Sequence, residues 1–105
     1  MKRIALTTLT ALLVLTMPAI GSESTGKEAF DRHCFQCHGP GNEATGTLQL
    51  ARTRGKDKAL LTERDDLRPP YIQYVVRHGL KAMPAFLPSD LTDAQLEALA
   101  DYLTR

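Results

Sequence analysis

The stretch CFQCH, residues 34–38, holds the only two cysteines of this 105-residue chain, three positions apart, with His38 directly after the second. Three kinds of site use such a pair: a redox-active dithiol, part of a zinc site, and a covalent attachment point for haem. A redox dithiol normally belongs to a βαβ unit, and the sequence lacks the alternating β-branched runs that predict strands. A zinc site needs four ligands, and beyond this stretch only His33 and His78 could supply nitrogen.

The third kind of site fits the spacing best. Two thiols on one helical turn reach two neighbouring vinyl groups of a haem, and the next residue is carried to the face of the ring. The pattern therefore predicts one haem c, held by thioether bonds from Cys34 and Cys37, with His38 as an axial ligand of the iron. Both thiols are then used, so no free cysteine is left in an oxidising compartment.

The second axial ligand is predicted to be Met83. It is the only methionine outside the N-terminal segment, it lies in a loop that follows a glycine stop, and Pro84 restricts its backbone. His78 is the rival ligand, although a histidine at that place more often interacts with a helix C-terminus, and His33 is tethered beside Cys34 on the opposite side. Histidine and methionine together fill both axial positions, which favours one-electron transfer over oxygen chemistry.

The N-terminus predicts export. Lys2 and Arg3 precede an apolar run over residues 4–17 and a small-residue exit at Ala19-Ile20-Gly21. The run is shorter than the roughly 18 residues that a membrane-spanning helix needs, so residues 1–21 are interpreted as a cleaved signal peptide, with an uncleaved anchor as the alternative. Residues 22–105 then form one small domain, whose size calls for a stabilising cofactor.

Local signals predict an all-α domain. Thr25 and Glu28 fit a capping box for a first helix over residues 26–34, in which Gly26 indicates a close backbone contact. A third helix is expected to start at Pro69-Pro70 and stop at Gly79, and a last helix to start at the Thr92 capping box, crossing the first near Phe30 and Tyr102. A weaker helix is expected over 58–64, and loops over 39–50 and 80–91.

Charge is nearly balanced, with 13 Lys and Arg against 12 Asp and Glu, which does not point to nucleic acid. Residues 51–81 are nevertheless rich in basic side chains, and 82–105 are rich in acidic ones. An ordinary solvated surface explains this distribution. Alternatively, the segments Arg52–Lys58 and Arg77–Lys81 surround an exposed haem edge and attract an acidic redox partner, in which case association weakens with salt.

These residues together resemble class I c-type cytochromes: Gly26 and Phe30 before the CFQCH motif, the Met83-Pro84 loop, and a last helix with Leu99, Tyr102 and Leu103. The resemblance covers essentially the whole domain and implies the class I cytochrome c fold, with its first and last helices crossed. Residues 71–86 are similar, more narrowly, to the small cytochrome subunit of bacterial flavocytochromes that hydroxylate 4-alkylphenols such as p-cresol. That family implies a flavoprotein partner that passes electrons singly to the haem.

One departure from the family concerns the support of the proximal histidine. Many members place a Gly-Pro-x-Leu turn after the haem motif, and its backbone carbonyl accepts a hydrogen bond from the histidine. This chain has Gly46-Thr47-Leu48, without the proline, and a carbonyl near Gly46 is the expected substitute.

The functional prediction is a periplasmic monohaem electron carrier that serves as a subunit or partner of a flavoprotein 4-alkylphenol hydroxylase and is not itself an enzyme. Two alternatives stay open. A free shuttle to a terminal oxidase has the same sequence features, and a haem gas sensor or peroxidase requires a sixth ligand that can be displaced.

Overall fold

The computed structural model describes residues 13–15 and 22–105, without the side chains of 22–24. Apart from 13–15, the predicted signal peptide lies outside the described residues. The elements are α1 (Ser22–His33), α2 (Phe35–His38), α3 (Thr45–Arg54), two 3-10 turns (Lys56–Lys58 and Leu61–Glu63), α4 (Pro69–His78) and α5 (Asp93–Thr104). The described part of the chain contains no strand, only an isolated bridge between Leu80 and Met83. None of its helices is long and apolar enough to cross a membrane.

Helices α1 and α5 cross in close contact, as expected from Gly26. A methyl group at Gly26 would collide with the backbone carbonyl of Ala98 and would lie 2.6 Å from Cβ of Tyr102. The rings of Phe30 and Tyr102 meet near this point, with their centroids 6.0 Å apart and their planes at 46°. The missing side chain therefore brings the two helices together in an all-α fold of the predicted class.

The buried apolar side chains form one cluster that joins α1, α4 and α5. Its members are Ala29, Phe30, Leu67, Ile72, Val76, Leu91, Leu96, Leu99, Ala100 and Leu103. Cys34 and Met83 pack against this cluster while staying partly exposed. One predicted attachment residue and one predicted iron ligand thus lie at the edge of the same small core.

The ends of α4 and α5 follow their local sequence signals. Pro69 occupies the opening of α4, and Gly79 ends it with φ 75°, a backbone angle that favours glycine. At α5, the Thr92 hydroxyl accepts a hydrogen bond from Gln95 N at 3.2 Å, and Thr92 N donates to the Gln95 side chain at 2.9 Å. Both helices begin where the sequence predicts.

Three local predictions are wrong. Helix α1 begins at Ser22, because no glycine or proline interrupts 22–25, and Thr25 lies inside the helix instead of capping it. The helix expected over 58–64 is replaced by the two 3-10 turns, since Leu60 between them is extended at φ −92° and ψ 116°. The expected loop over 39–50 ends at residue 44, where α3 begins.

Candidate functional site

The CFQCH motif forms a short helical continuation of α1. Cys34 N donates to Phe30 O at 2.9 Å, and His38 N donates to Cys34 O at 2.8 Å. Cys34 and Cys37 are free thiols, the first partly buried and the second exposed. The backbone therefore presents both sulfurs and the histidine from about one turn of helix, which is the geometry that the spacing predicts.

The environment of Cys34 argues against a redox dithiol. Burial, reinforced by the neighbouring Cys37, raises the pKa of the Cys34 thiol to about 11. Reactive cysteines of dithiol enzymes have lowered pKa values, because only the thiolate attacks. No cluster of three or more His, Cys, Asp or Glu side chains suited to a metal ion occurs in residues 13–15 and 22–105, so a zinc site has no support either.

His38 lies against the first turn of α3. A methyl group on Gly46 would come within 2.7 Å of Cys37 O and 2.9 Å of the His38 ring carbon Cε1. Next to it, buried Thr47 donates its hydroxyl to Gly39 O at 2.7 Å and fastens α3 to the residue that follows His38. Gly46 is thus required for close packing, and the sequence pattern had wrongly placed it in a loop.

Burial lowers the pKa of His38, which favours the neutral imidazole that binds metals. Its Nδ1 is buried and has no hydrogen-bond partner among the described residues. The expected carbonyl near Gly46 is therefore not observed as an acceptor. The reason is that Gly46 belongs to the first turn of α3, where carbonyls point along the helix axis to the residue four positions ahead.

Met83 lies on a tightly held loop between α4 and α5. Leu80 N donates to Met83 O at 3.0 Å and Met83 N donates to Leu80 O at 2.9 Å, which closes a turn in which Lys81 has φ 53°. Three residues later, Phe86 N donates to Val76 O at 2.8 Å and returns the chain to α4. Met83 is thus fixed on both sides along the chain.

The loop and the haem motif are neighbours in space. The ring of His33, directly before Cys34, meets Phe86 edge to face, with centroids 6.0 Å apart and planes at 78°. His78, the rival ligand, is exposed; its ring stacks on Tyr74 at 4.1 Å, and its Nδ1 lies 2.8 Å from Tyr74 O. Tyr74 and the end of α4 therefore already engage His78, whereas Met83 packs against the core.

An open cavity of about 370 Å³ lies between α3, the segment before α4, and Leu80, which follows the end of α4. Its apolar lining comes from Leu50, Leu67, Tyr71 and Leu80, and its polar lining from Arg54, Arg64, Asp66 and Arg68. Tyr71 and Leu80 are 49% and 47% exposed, which is high for large apolar side chains on a small domain. An apolar group with a charged edge would suit this lining.

Arg77 was predicted as part of a basic rim but lies largely inside the fold. Its side chain is 19% exposed and bonds to the carbonyls of Phe86 and Leu91 and to the carboxylate of Asp93. Lys58 and Arg64 are also paired with acidic neighbours. Since two of the partners of Arg77 are backbone atoms 9 and 14 residues ahead, no sequence signal could have revealed this role.

Comparison with known proteins identifies a matching family and several relatives. The model of the family described as cytochrome c oxidase, cbb3-type, subunit III, matches residues 21–103. The chain is 34% identical over 80 residues to the cytochrome c subunit of 4-cresol dehydrogenase (hydroxylating) from Pseudomonas putida; the match covers 76% of this chain and 58% of the relative.

It is also similar to two proteins named cytochrome c6. Identity is 34% over 96 residues with that of Thermosynechococcus vestitus, covering 89% of this chain and 80% of the relative. Identity is 32% over 91 residues with that of Thermostichus vulcanus, covering 85% of this chain and 75% of the relative. The chain therefore belongs to the class I c-type cytochromes, all-α electron-transfer proteins that bind covalently attached haem c.

Proposed function

We propose that the protein is a periplasmic monohaem cytochrome that accepts single electrons from a flavoprotein oxidising 4-alkylphenols. Cys34 and Cys37 form the thioethers, and His38 and Met83 are the axial ligands. The observation that carries this proposal is His38, a half-buried imidazole whose pKa is lowered by burial and which lies against Gly46 one residue beyond the two thiols. The residues present fit a haem, because they supply two sulfurs, an imidazole and a thioether. The cavity is lined in part by Leu80, whose backbone is hydrogen-bonded to that of Met83.

Each residue has a separate task. The motif helix fixes the spacing of both sulfurs, α3 restricts the His38 ring, and the loop between α4 and α5 holds Met83 against the core. Bound haem supplies the one-electron couple of its iron, and a methionine ligand raises the potential of that couple. With both axial positions occupied by protein groups, electron transfer needs little movement of these side chains.

Covalent attachment is tested on the purified protein. We expect a red protein whose haem stays with the polypeptide in acidified organic solvent. The variant in which both Cys34 and Cys37 are replaced by Ala should lose this resistance to extraction, because no thioether can form. Haem that is extracted from the wild type as readily as from the variant would contradict the proposed attachment.

The sixth ligand is tested with carbon monoxide. Met83→Ala should make the reduced protein bind carbon monoxide readily, since the position is then open. His78→Ala is the matched control and should bind as weakly as the wild type. If His78→Ala opens the site and Met83→Ala does not, the ligand is His78. Ready binding by the wild type itself would favour a gas sensor or peroxidase.

The flavoprotein partner is supported by the similarity to the 4-cresol dehydrogenase subunit, although this chain spans only 58% of that relative's length. In the described structure Arg54, Lys56 and Lys81 have no acidic partner and are available to an acidic surface. We therefore expect a 4-alkylphenol-oxidising flavoprotein to reduce the cytochrome at a rate that falls with rising salt. A salt-independent rate would contradict the electrostatic part of the proposal.

A free shuttle is the second candidate, because similarity to cytochrome c6 covers a larger share of both chains. Size-exclusion chromatography of the cytochrome mixed with the flavoprotein distinguishes a subunit from a free shuttle. A subunit coelutes with the flavoprotein at micromolar concentration, whereas a shuttle elutes alone and still accepts electrons. Export is tested by N-terminal sequencing of the protein from the periplasmic fraction, where we expect the chain to begin at Ser22.

A further inference from the structure

Residues 79–91, here called the Met83 loop, are closed by bonds near both ends. Gly79 N donates to Val75 O at 2.7 Å, and the paired bonds between Leu80 and Met83 follow directly. At the other end, Leu91 N donates to Leu87 O at 3.0 Å. Leu87 N in turn donates to the Asp90 carboxylate at 3.0 Å. Two small hydrogen-bonded turns therefore hold the loop, and Met83 is the last residue of the first turn.

Arg77 joins the second half of this loop, from Phe86 to Leu91, to α4 and α5. One terminal nitrogen of its guanidinium donates to Phe86 O at 3.1 Å and to Leu91 O at 2.8 Å. The other donates to Asp93 Oδ1 at 2.6 Å, at the first residue of α5. Phe86 is thus bound twice to α4, since its amide also donates to Val76 O. A planar fork with fixed donors is suited to hold three acceptors at once.

The exposed fractions of the Arg77 and Asp93 side chains show that Arg77 is the inner member of this ion pair. The Arg77 side chain is 19% exposed, whereas that of Asp93 is 90% exposed. The guanidinium therefore lies beneath the loop, with one edge against two backbone carbonyls and the other reaching the surface. Removing it would leave both carbonyls without the donor that now satisfies them.

We propose that Arg77 is a positioning residue that holds the Met83 loop closed and so sets how readily an external ligand replaces Met83 on the iron. The inference rests on the proposed role of Met83. The exchange would need no oxidant: the Met83 thioether would leave the iron, and the nitrogen of the external ligand would take the vacated position. Met83 can reach the iron only when the loop is closed. If the loop is open more of the time, the thioether sulfur competes less well with the external ligand for the iron.

The test is a titration of the oxidised haem protein with imidazole, followed by its visible absorption spectrum. Arg77→Met, which keeps the side-chain length but removes every donor, should bind imidazole at least about tenfold more tightly than the wild type, equivalent to about 1.4 kcal/mol. Arg77→Lys keeps the charge but loses the forked guanidinium, so its affinity for imidazole should lie between those of the wild type and Arg77→Met. Hydrogen exchange at the Phe86 amide should accelerate in the same order.

Two controls separate positioning from general effects. Arg32→Met removes an exposed arginine that pairs only with Glu28, and it should leave imidazole affinity unchanged. Leu103→Ala weakens the core at the far end of α5, and it should lower stability without a tenfold change in imidazole affinity. If Arg77→Met does not fold, Asp93→Ala provides the test, since it removes one of the three acceptors and should give a smaller increase.

The outcomes distinguish this inference from the proposed function. If Met83→Ala raises imidazole affinity and Arg77→Met leaves it at the wild-type value, the positioning role is wrong and the ligand assignment stands. An equal rise in Leu103→Ala and Arg77→Met also overturns it, because stability alone would then explain both. If Met83→Ala has no effect, the ligand assignment fails and the inference fails with it.

Discussion

Gly46→Ala should disturb both the His38 ring and the packing of α3 against the backbone of Cys37. The added Cβ would lie 2.9 Å from Cε1 and 3.1 Å from Nδ1 of the His38 ring, whereas ordinary contacts begin at 3.4 Å. Relief therefore needs a displacement of about half an ångström by α3, by the ring, or by both. The nearest atom, Cys37 O at 2.7 Å, belongs to the backbone and cannot be cleared by the ring, so both the first turn of α3 and the His38 ring are expected to move.

The magnitude follows from two opposing effects. Replacing glycine by alanine within a helix stabilises it by up to about 1 kcal/mol. Overpacking costs about 1–3 kcal/mol. We therefore expect a net loss of about 0–3 kcal/mol in the free energy of unfolding. If about 1 kcal/mol of the strain weakens donation from His38 to ferric iron, the reduction potential rises by about 40 mV for this one-electron couple.

The assay compares chemical unfolding and the reduction potential of Gly46→Ala with those of Thr45→Ala. Thr45 is exposed on the same turn, so its replacement adds helix propensity without adding bulk near His38. Thr45→Ala should be as stable as the wild type or slightly more so, with an unchanged potential. If Gly46→Ala also gains stability and keeps the wild-type potential, the packing between α3 and His38 does not restrict the ring, and the reasoning is refuted.

Three further predictions concern the rest of the fold. Lys81→Gly should stabilise the protein by up to about 1 kcal/mol, because a lysine at φ 53° is strained; a loss in denaturant unfolding would contradict this. Thr92→Ala should lower the free energy of unfolding by about 0.5–2 kcal/mol by removing the acceptor for Gln95 N, and an unchanged midpoint would count against the cap. The hydrogen-bonded Arg64 guanidinium holds the pKa of Asp66 below its usual range, so the carboxylate contributes stability above the unfolded-state pKa of about 3.9 and loses it as pH falls through the lower folded value. The stability difference between the wild type and Asp66→Asn should therefore be present at pH 7 and shrink below about pH 4, and a pH-independent difference would refute the assignment.

Helices α4 and α5 could be predicted from sequence because their signals are local. Pro69, Gly79 and the Thr92 capping box each act within one turn of the residue that they affect. The glycine in α1 was also informative, since its cost within a helix is accepted only where another backbone comes close. These features needed no knowledge of distant contacts.

The support around the site could not be predicted in the same way. A glycine such as Gly46 is usually interpreted as a turn residue, yet here it leaves room for His38 to pack against α3. The propensity of a single residue does not distinguish a glycine in a turn from one at a close helix contact. Arg77 looked like a surface cation because its loop acceptors are backbone oxygens, which any residue could provide. The predicted ligands followed from their identity and spacing, whereas the residues that position them depended on tertiary contacts.

The crossing of the first and last helices has a consequence for biogenesis. Gly26 makes its close contact with Ala98, so this interface cannot assemble until the chain has been synthesised at least as far as Ala98. Until then, the segment with Cys34 and Cys37 belongs to an open chain that an attachment enzyme can reach. Haem attachment can therefore take place before α5 packs against α1.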